Sequence, residues 1–175
     1  TLLGLYAAIA ALRFLLQWAR ADFYNPMSQF IVRVTTPVLR PLRRVVPSYA
    51  GLDLAALVLA WLVKTIELAA VALIAGLGNP IGALFWSIPA LVTLFINIFL
   101  FAVLIQVILS WINPDPYNPA VKLLDRLTAP LLGPARRLIP PVSGLDLSPM
   151  AVTIALVILE MLLIPPLNAL TGSPF

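Results

Sequence analysis

Three residues of this chain, Lys64, Glu67 and Glu160, invite chemistry because each falls inside an apolar run, "LAALVLAWLVKTIELAAVALI" or "SPMAVTIALVILEMLLIP". A charge at the centre of a bilayer costs at least about 2.5–3.5 kcal/mol, so such a group faces a protein interior or water. Lys64 and Glu67 are three residues apart, on one face of a helix, and can neutralise each other. Glu67 and Glu160 are 93 residues apart, and each lies 14 residues beyond an aspartate, Asp53 or Asp146. At the helical rise of 1.5 Å per residue, both sit roughly 21 Å along their helices, at matching depth. Two readings follow. Together with Asn97 from a neighbouring segment, these groups mark a path for a cation or a proton. Alternatively, an ion pair and a protonated acid hold helices together, since burial can leave a carboxyl neutral.

Other chemistry is thinly represented. Cysteine and histidine are absent, which removes disulfides, thiolate and imidazole metal sites, and Cys/His nucleophile systems. Hydrolase elbows and phosphate-binding glycine loops are missing too. The sequence therefore predicts no catalytic residue, no metal, no cofactor and no enzymatic activity.

Of the 175 residues, 62% are hydrophobic and 10% charged. A soluble domain carries roughly 45–50% apolar and about 25% charged residues, so this composition cannot build a water-facing surface. In so apolar a chain the net charge of +4 points to anionic phospholipid, not nucleic acid. A spanning helix needs about 20 apolar residues. Four stretches qualify: Leu2 to Trp18, Leu54 to about Leu77, about Leu84 to Ile112, and Pro149 to about Leu163, longer if the helix survives Pro165 and Pro166. Nine of the eleven Lys and Arg residues lie in the connections between Trp18 and Asp53 and between Trp111 and Asp146. Short basic loops resist translocation, so both connections are predicted to be cytoplasmic. Both termini and the 76–83 loop then face the other side.

The two connections are copies of one another. Sliding the chain by 93 residues superposes Trp18 on Trp111 and Tyr24-Asn25-Pro26 on Tyr117-Asn118-Pro119. Further along, Arg33, Thr35, Pro37, Pro41, Arg43 and Arg44 fall on Arg126, Thr128, Pro130, Pro134, Arg136 and Arg137. "GLDL" at 51–54 returns at 144–147. Each unit is span, basic connection, span. Two spans restore the starting side, so the repeats are parallel. The predicted organisation is repeat 1 at 1–77, a short non-cytoplasmic loop at 78–83 and repeat 2 at 84–175. The fold class is an all-α membrane protein with four transmembrane helices in two parallel hairpin repeats and amphipathic interfacial helices on the cytoplasmic side.

Within each connection Asn25-Pro26 and Asn118-Pro119 predict a helix start, with an N-cap side chain followed by proline at the first position. Met27, Phe30, Ile31, Val34 and Val38 then recur at helical spacing, as do Val121, Leu124, Leu127 and Leu131. Arg33, Arg40, Arg43 and Arg44, and Lys122, Arg126, Arg136 and Arg137, supply the cations expected of a helix lying in the membrane interface. Their role is ordinary topology signalling, or binding of lipid or a partner. The internal prolines are expected to split each helix into two short pieces, because each removes a backbone donor. Asp53 and Asp146 suit the start of the returning span. Arg13 is expected to snorkel toward the cytoplasmic headgroups, while Gln17, Gln106 and Ser110 can bond between helices. Trp18 and Trp111 suit interfacial anchors.

The strings "WARADFYNPMSQFIVRVTTPVLRPLRRVVP" and "DRLTAPLLGPARRLIPPVSGLDLSPM" resemble the YggT (YlmG) family of small bacterial membrane proteins, across essentially the whole chain. The resemblance implies a multi-pass protein of the bacterial inner membrane that is not an enzyme. It further implies a role in osmotic-stress or potassium homeostasis, as a transport component or modulator. The alternative is a membrane scaffold or assembly factor that recruits a partner through its basic cytoplasmic face. Four helices enclose little space, so conduction requires a homo-oligomer or a membrane-protein partner.

Overall fold

The computed structural model describes residues 1–49, 51–77, 80–112, 115, 117–139 and 146–174, except for the side chains of 110–112. The side chains of Ser110 and Trp111 and the second Gly-Leu pair at 144–145 lie outside the described residues. The described chain is helical, without strands: α1 (Leu2–Trp18), α2 (Pro26–Leu42), α3 (Leu54–Ile74), a 3-10 turn (Pro80–Gly82), α4 (Ala83–Ile112), α5 (Pro119–Leu138) and α6 (Ser148–Thr171). Three of these helical runs are long and apolar enough to cross a membrane, namely Leu54–Ile74, Pro80–Leu109 and Ser148–Thr171. Helix α1 is apolar but shorter, at 17 residues.

Small residues set the packing. Ala7, Ala10 and Ala11 of α1 are fully buried against Ala55, Ala56, Leu59 and Ala60 of α3. With no long side chain between them, the backbones approach closely, as in interfaces between membrane helices. Helices α1, α4 and α5 enclose a second cluster around Leu16, Ala102 and Leu127, and α4 and α6 a third around Val103 and Val152. The repeat is visible in this core: Leu39 of α2 and Leu132 of α5, 93 positions apart, are both buried.

Helix starts follow the sequence. Asn25 and Asn118 are N-caps whose side chains accept from the Met27 and Ala120 amides, each at 2.9 Å, with proline at the first helical position. Asp53 caps α3 by accepting from the Ala56 amide at 3.3 Å. Asp146 sits one position before the cap of α6 and still accepts from the Ser148 amide at 2.9 Å. Gly51 adopts φ of +81°, a left-handed conformation that favours glycine, in the turn where Tyr49 and Leu52 exchange backbone hydrogen bonds.

The prolines do not divide the connecting helices. Helix α2 runs unbroken through Pro37 and Pro41, and α5 through Pro130 and Pro134. A proline inside a helix costs ~3 kcal/mol, but Leu39 and Leu132, beyond the first proline of each pair, anchor the second half of each helix in the core. Pro37 and Arg33 both lie on the exposed side, so the carbonyl that loses its donor faces outward. Helix α6 likewise continues through Pro165 and Pro166 to Thr171.

Candidate functional site

The three charged residues of the apolar helices come together in part. Lys64 Nζ donates to Glu67 Oε2 at 2.8 Å, and both side chains are largely buried. Glu67 also accepts from the Thr1 hydroxyl, whose oxygen takes the Gly4 amide at 3.0 Å. Lys64 and Glu160 line one recess of about 350 Å³ between α3, α4 and α6, beside Thr93 and Asn168. Glu160 has no hydrogen-bond or ion-pair partner among the described residues, so one carboxyl in this recess is left unmatched by a cation. Asn97 is not part of the group. It lies one turn beyond Thr93 and about 40° further round α4, and lines a different recess with Ala8, Leu12, Phe101 and Leu124.

The densest polar cluster lies elsewhere, where α1, α2 and α3 meet. Arg13 does not snorkel; it turns inward and is 5% exposed. Its Nη1 donates to Thr35 Oγ1 (2.5 Å), Thr36 Oγ1 (3.2 Å) and the Val32 carbonyl (3.2 Å). Its Nε stands 3.5 Å from Asp53 Oδ2. Asp53 is fully buried and also accepts from Arg43. Thr35 and Thr36 pass hydrogen bonds on to the Ile31 and Val32 carbonyls (2.7 and 2.5 Å). Gln17, one turn further along α1, donates to the Gly51 carbonyl at 2.8 Å, so Gly-Leu-Asp serves both as turn and as receptor for α1. An Arg in one apolar helix and an Asp heading the next is the sequence signal for this cluster, which the expectation of a snorkelling Arg13 passes over.

The second repeat keeps the plan with weaker chemistry. Gln106 stands where Arg13 does, accepts from Thr128 and donates to Asp125 Oδ1 at 2.7 Å. Arg136 Nε donates to Asp146 Oδ2 at 2.8 Å, matching Arg43 and Asp53, but both partners are substantially exposed. Burial alone would raise the Asp146 carboxyl; the hydrogen bonds from Arg136 and Ser148 outweigh it and hold the pKa below the ordinary value. A lowered folded-state pKa means stability present in full above the unfolded value of about 3.9 and lost as pH falls through the folded value. Exposure screens the pair, which limits its contribution to below ~1 kcal/mol. Accordingly, D146N is expected to melt slightly below the parent at pH 7. That gap closes as the pH is taken down through the lowered folded-state value; a gap that stays constant as acid is added would rule out the ion pair as its source.

The remaining basic residues stay on the outside. Arg33, Arg40, Arg44, Lys122, Arg126 and Arg137 are exposed, and so are Met27, Phe30 and Val38 of the apolar stripe. Helix α2 buries its other side, Ser28, Thr35 and Leu39. Asn25 joins the two connecting helices by donating to the Pro119 carbonyl at 2.6 Å.

Residues 1–74 and 85–167 match the model of the family described as CCB3/YggT. The chain belongs to that family. Among its relatives, an uncharacterized protein of Pseudomonas aeruginosa is 49% identical, covering 99% of this chain and 90% of that protein. The uncharacterized protein YggT of Escherichia coli K12 is 37% identical, covering 92% of this chain and 84% of its own. An uncharacterized protein of Haemophilus influenzae is 33% identical over 97% of this chain and 91% of its own length. No solved structure matches the chain. The two matched segments of the CCB3/YggT family include both Arg-Asp pairs and, of the charged recess, Lys64, Thr93 and Glu160.

Proposed function

We propose that this CCB3/YggT protein is a four-span protein of the bacterial inner membrane that acts in ion or osmotic homeostasis, as a transport component or modulator. Helix α1 serves as the fourth span: its 17 residues reach the lower limit for crossing, about 17–25 residues. Helices α2 and α5 lie in the cytoplasmic interface, with Met27, Phe30 and Val38 toward the acyl chains and the cations at phosphate level. The two hairpins are parallel, as two spans per repeat require. Anionic phospholipid is the lipid partner of the basic face.

One observation carries the ionic reading: the unmatched Glu160 in the recess it shares with Lys64. With Glu67 neutralising Lys64, the recess presents one further carboxyl group, Glu160, beside the Thr93 side chain, oxygen donors of the kind a proton or a monovalent cation takes. Glu160→Gln keeps shape and removes the titratable group. Potassium and proton flux into proteoliposomes is expected to fall at least about tenfold in E160Q, a loss of 1.4 kcal/mol or more in driving contact. Equal flux in E160Q and the parent would remove the ion-path reading.

The exposed cations of α2 and α5 favour a second reading, a scaffold that recruits a partner through the basic face. Affinity capture of the native complex separates the two. A stoichiometric partner lost from a variant with Arg40, Arg44 and Arg137 changed to Gln supports the scaffold, whereas a self-assembled oligomer supports conduction.

A further inference from the structure

The two repeats differ in the residues that surround one recess of the first. Between α1 and α2 lies a recess of about 570 Å³ lined by Arg13, Gln17, Gln29, Val32, Arg33 and Arg43. Three guanidinium groups border it, and the counter-charge of the cluster is Asp53, which is fully buried and already engaged by Arg13 and Arg43. Arg33 is exposed and has no hydrogen-bond or ion-pair partner among the described residues. Gln17 and Gln29 place side-chain amides on the same wall. This is a cationic pocket backed by a buried ion pair.

The matching positions of the second repeat are Gln106 for Arg13, Asp125 for Val32, Arg126 for Arg33 and Arg136 for Arg43. Lys122 stands where Gln29 does, so each copy holds three cations; the differences are that the buried Arg13 is replaced by a neutral side chain and that the second copy gains a carboxylate, Asp125, among its cations. The nearby recess of about 420 Å³ is lined by Asp22, Asn25, Lys122, Asp125 and Arg126, so its charges largely cancel. Topology signalling would be served equally by both copies, because it counts cations and not their cavities. The absence of any carboxylate from the lining of the repeat 1 recess requires a different cause.

We propose that the Arg13–Arg33–Arg43 recess binds a phosphate group, taken from an anionic phospholipid headgroup or from a free phosphate. Arginine suits this ligand because its planar fork donates two parallel hydrogen bonds to phosphate oxygens. Arg33 and the half-exposed Arg43 supply the contacts; Arg13, held by Thr35 and Asp53, supplies fixed charge from behind. The proposal deepens the basic-face reading given above. Its lipid arm rests on α2 lying in the interface, and its free-phosphate arm does not, so failure of that reading and failure of the site are distinguishable.

The test uses the purified full chain in neutral detergent, with native mass spectrometry scoring retention of phosphatidylglycerol against phosphatidylcholine and ³¹P line-broadening scoring inorganic phosphate. Arg33→Gln removes an exposed side chain without structural partners, and Arg126→Gln is its matched control. Val32→Asp places the second repeat's carboxylate in the first. Retention of phosphatidylglycerol reduced at least about fivefold further in R33Q and V32D than in R126Q, which loses only one general contact of the basic face, assigns the site to a lipid. Broadening of inorganic phosphate with the same variant pattern assigns it to a free anion. Equal effects of R33Q and R126Q, or selective binding of neither anion by the parent, would overturn the proposal.

Discussion

Replacing Asp53 by alanine is expected to destabilise the protein by about 3–5 kcal/mol, the cost of stranding a buried charge, whereas Asp146→Ala changes stability by less than ~1 kcal/mol. The two aspartates occupy the same place in the repeat and each faces an arginine ten positions earlier. Their burial separates them. Asp53 is fully buried between Arg13 and Arg43, while Asp146 and Arg136 keep much of their surface open. Removing Asp53 leaves Arg13 in the core with only hydroxyl and carbonyl acceptors, and α3 loses its N-cap in the same stroke. Thermal melts of the purified chain in detergent check the difference directly. Because D53A could fail to accumulate, the double variant R13Q/D53A is the informative companion. Gln106 already occupies the corresponding position and bonds Thr128, so a glutamine at 13 can bond Thr35 without needing a counter-ion. The double variant is expected to recover most of the loss. A double variant as unstable as D53A would mean that the ion pair is not what holds this end of the bundle.

The sequence carried the helices further than it carried the site. Helix starts at Asn25-Pro26 and Asn118-Pro119 were legible because capping is a local matter of one side chain and one proline. The bounds of α1 were legible because hydropathy alone sets them. The continuity of α2 and α5 was not, since the outcome depends on whether Leu39 and Leu132 find a core, and their partners lie on other helices. The Lys64–Glu67 pair could be read from spacing within one helix. Its relation to Glu160 could be read from the repeat. Arg13 was misplaced for a physical reason: five residues from the end of an apolar helix, an arginine can reach outward past that end or turn inward, and only the position of Asp53 across the bundle decides. Asn97 lines a different recess for a similar reason, as one helical turn separates the charged recess from the apolar one. Contacts between helices were invisible wherever the repeat did not supply a second copy for comparison. Where it did, at 13 and 106 or 32 and 125, the difference between copies proved more informative than the similarity.

Two alanines on α1 yield a second prediction, of opposite outcomes for the same substitution. Ala10→Leu is expected to cost about 1–3 kcal/mol, the usual penalty for forcing methylenes into a filled interior. Ala10 is fully buried in the seam where α1 meets Ala55, Ala56 and Ala60 of α3. Two residues earlier, Ala8 lines the apolar recess of about 350 Å³ bounded by Leu94, Ile98 and Phe101 of α4. Ala8→Leu fills that space and is expected to be neutral or stabilising, as cavity-filling changes commonly give about 0.5–2 kcal/mol. Parallel thermal melts decide it, and an equal loss in both variants would sink the small-residue seam as the reason α1 and α3 lie so close. The seam also reaches the polar cluster. Ala10 and Arg13 are one turn apart on the buried face of α1, so a leucine at 10 that levers α1 outward carries Arg13 away from Asp53. A10L is therefore expected to lower anion retention at the Arg33 recess along with the melting temperature, while A8L leaves retention unchanged. A drop in melting temperature with full retention would show that packing and the polar cluster are independent; the shared helix face requires them to move together.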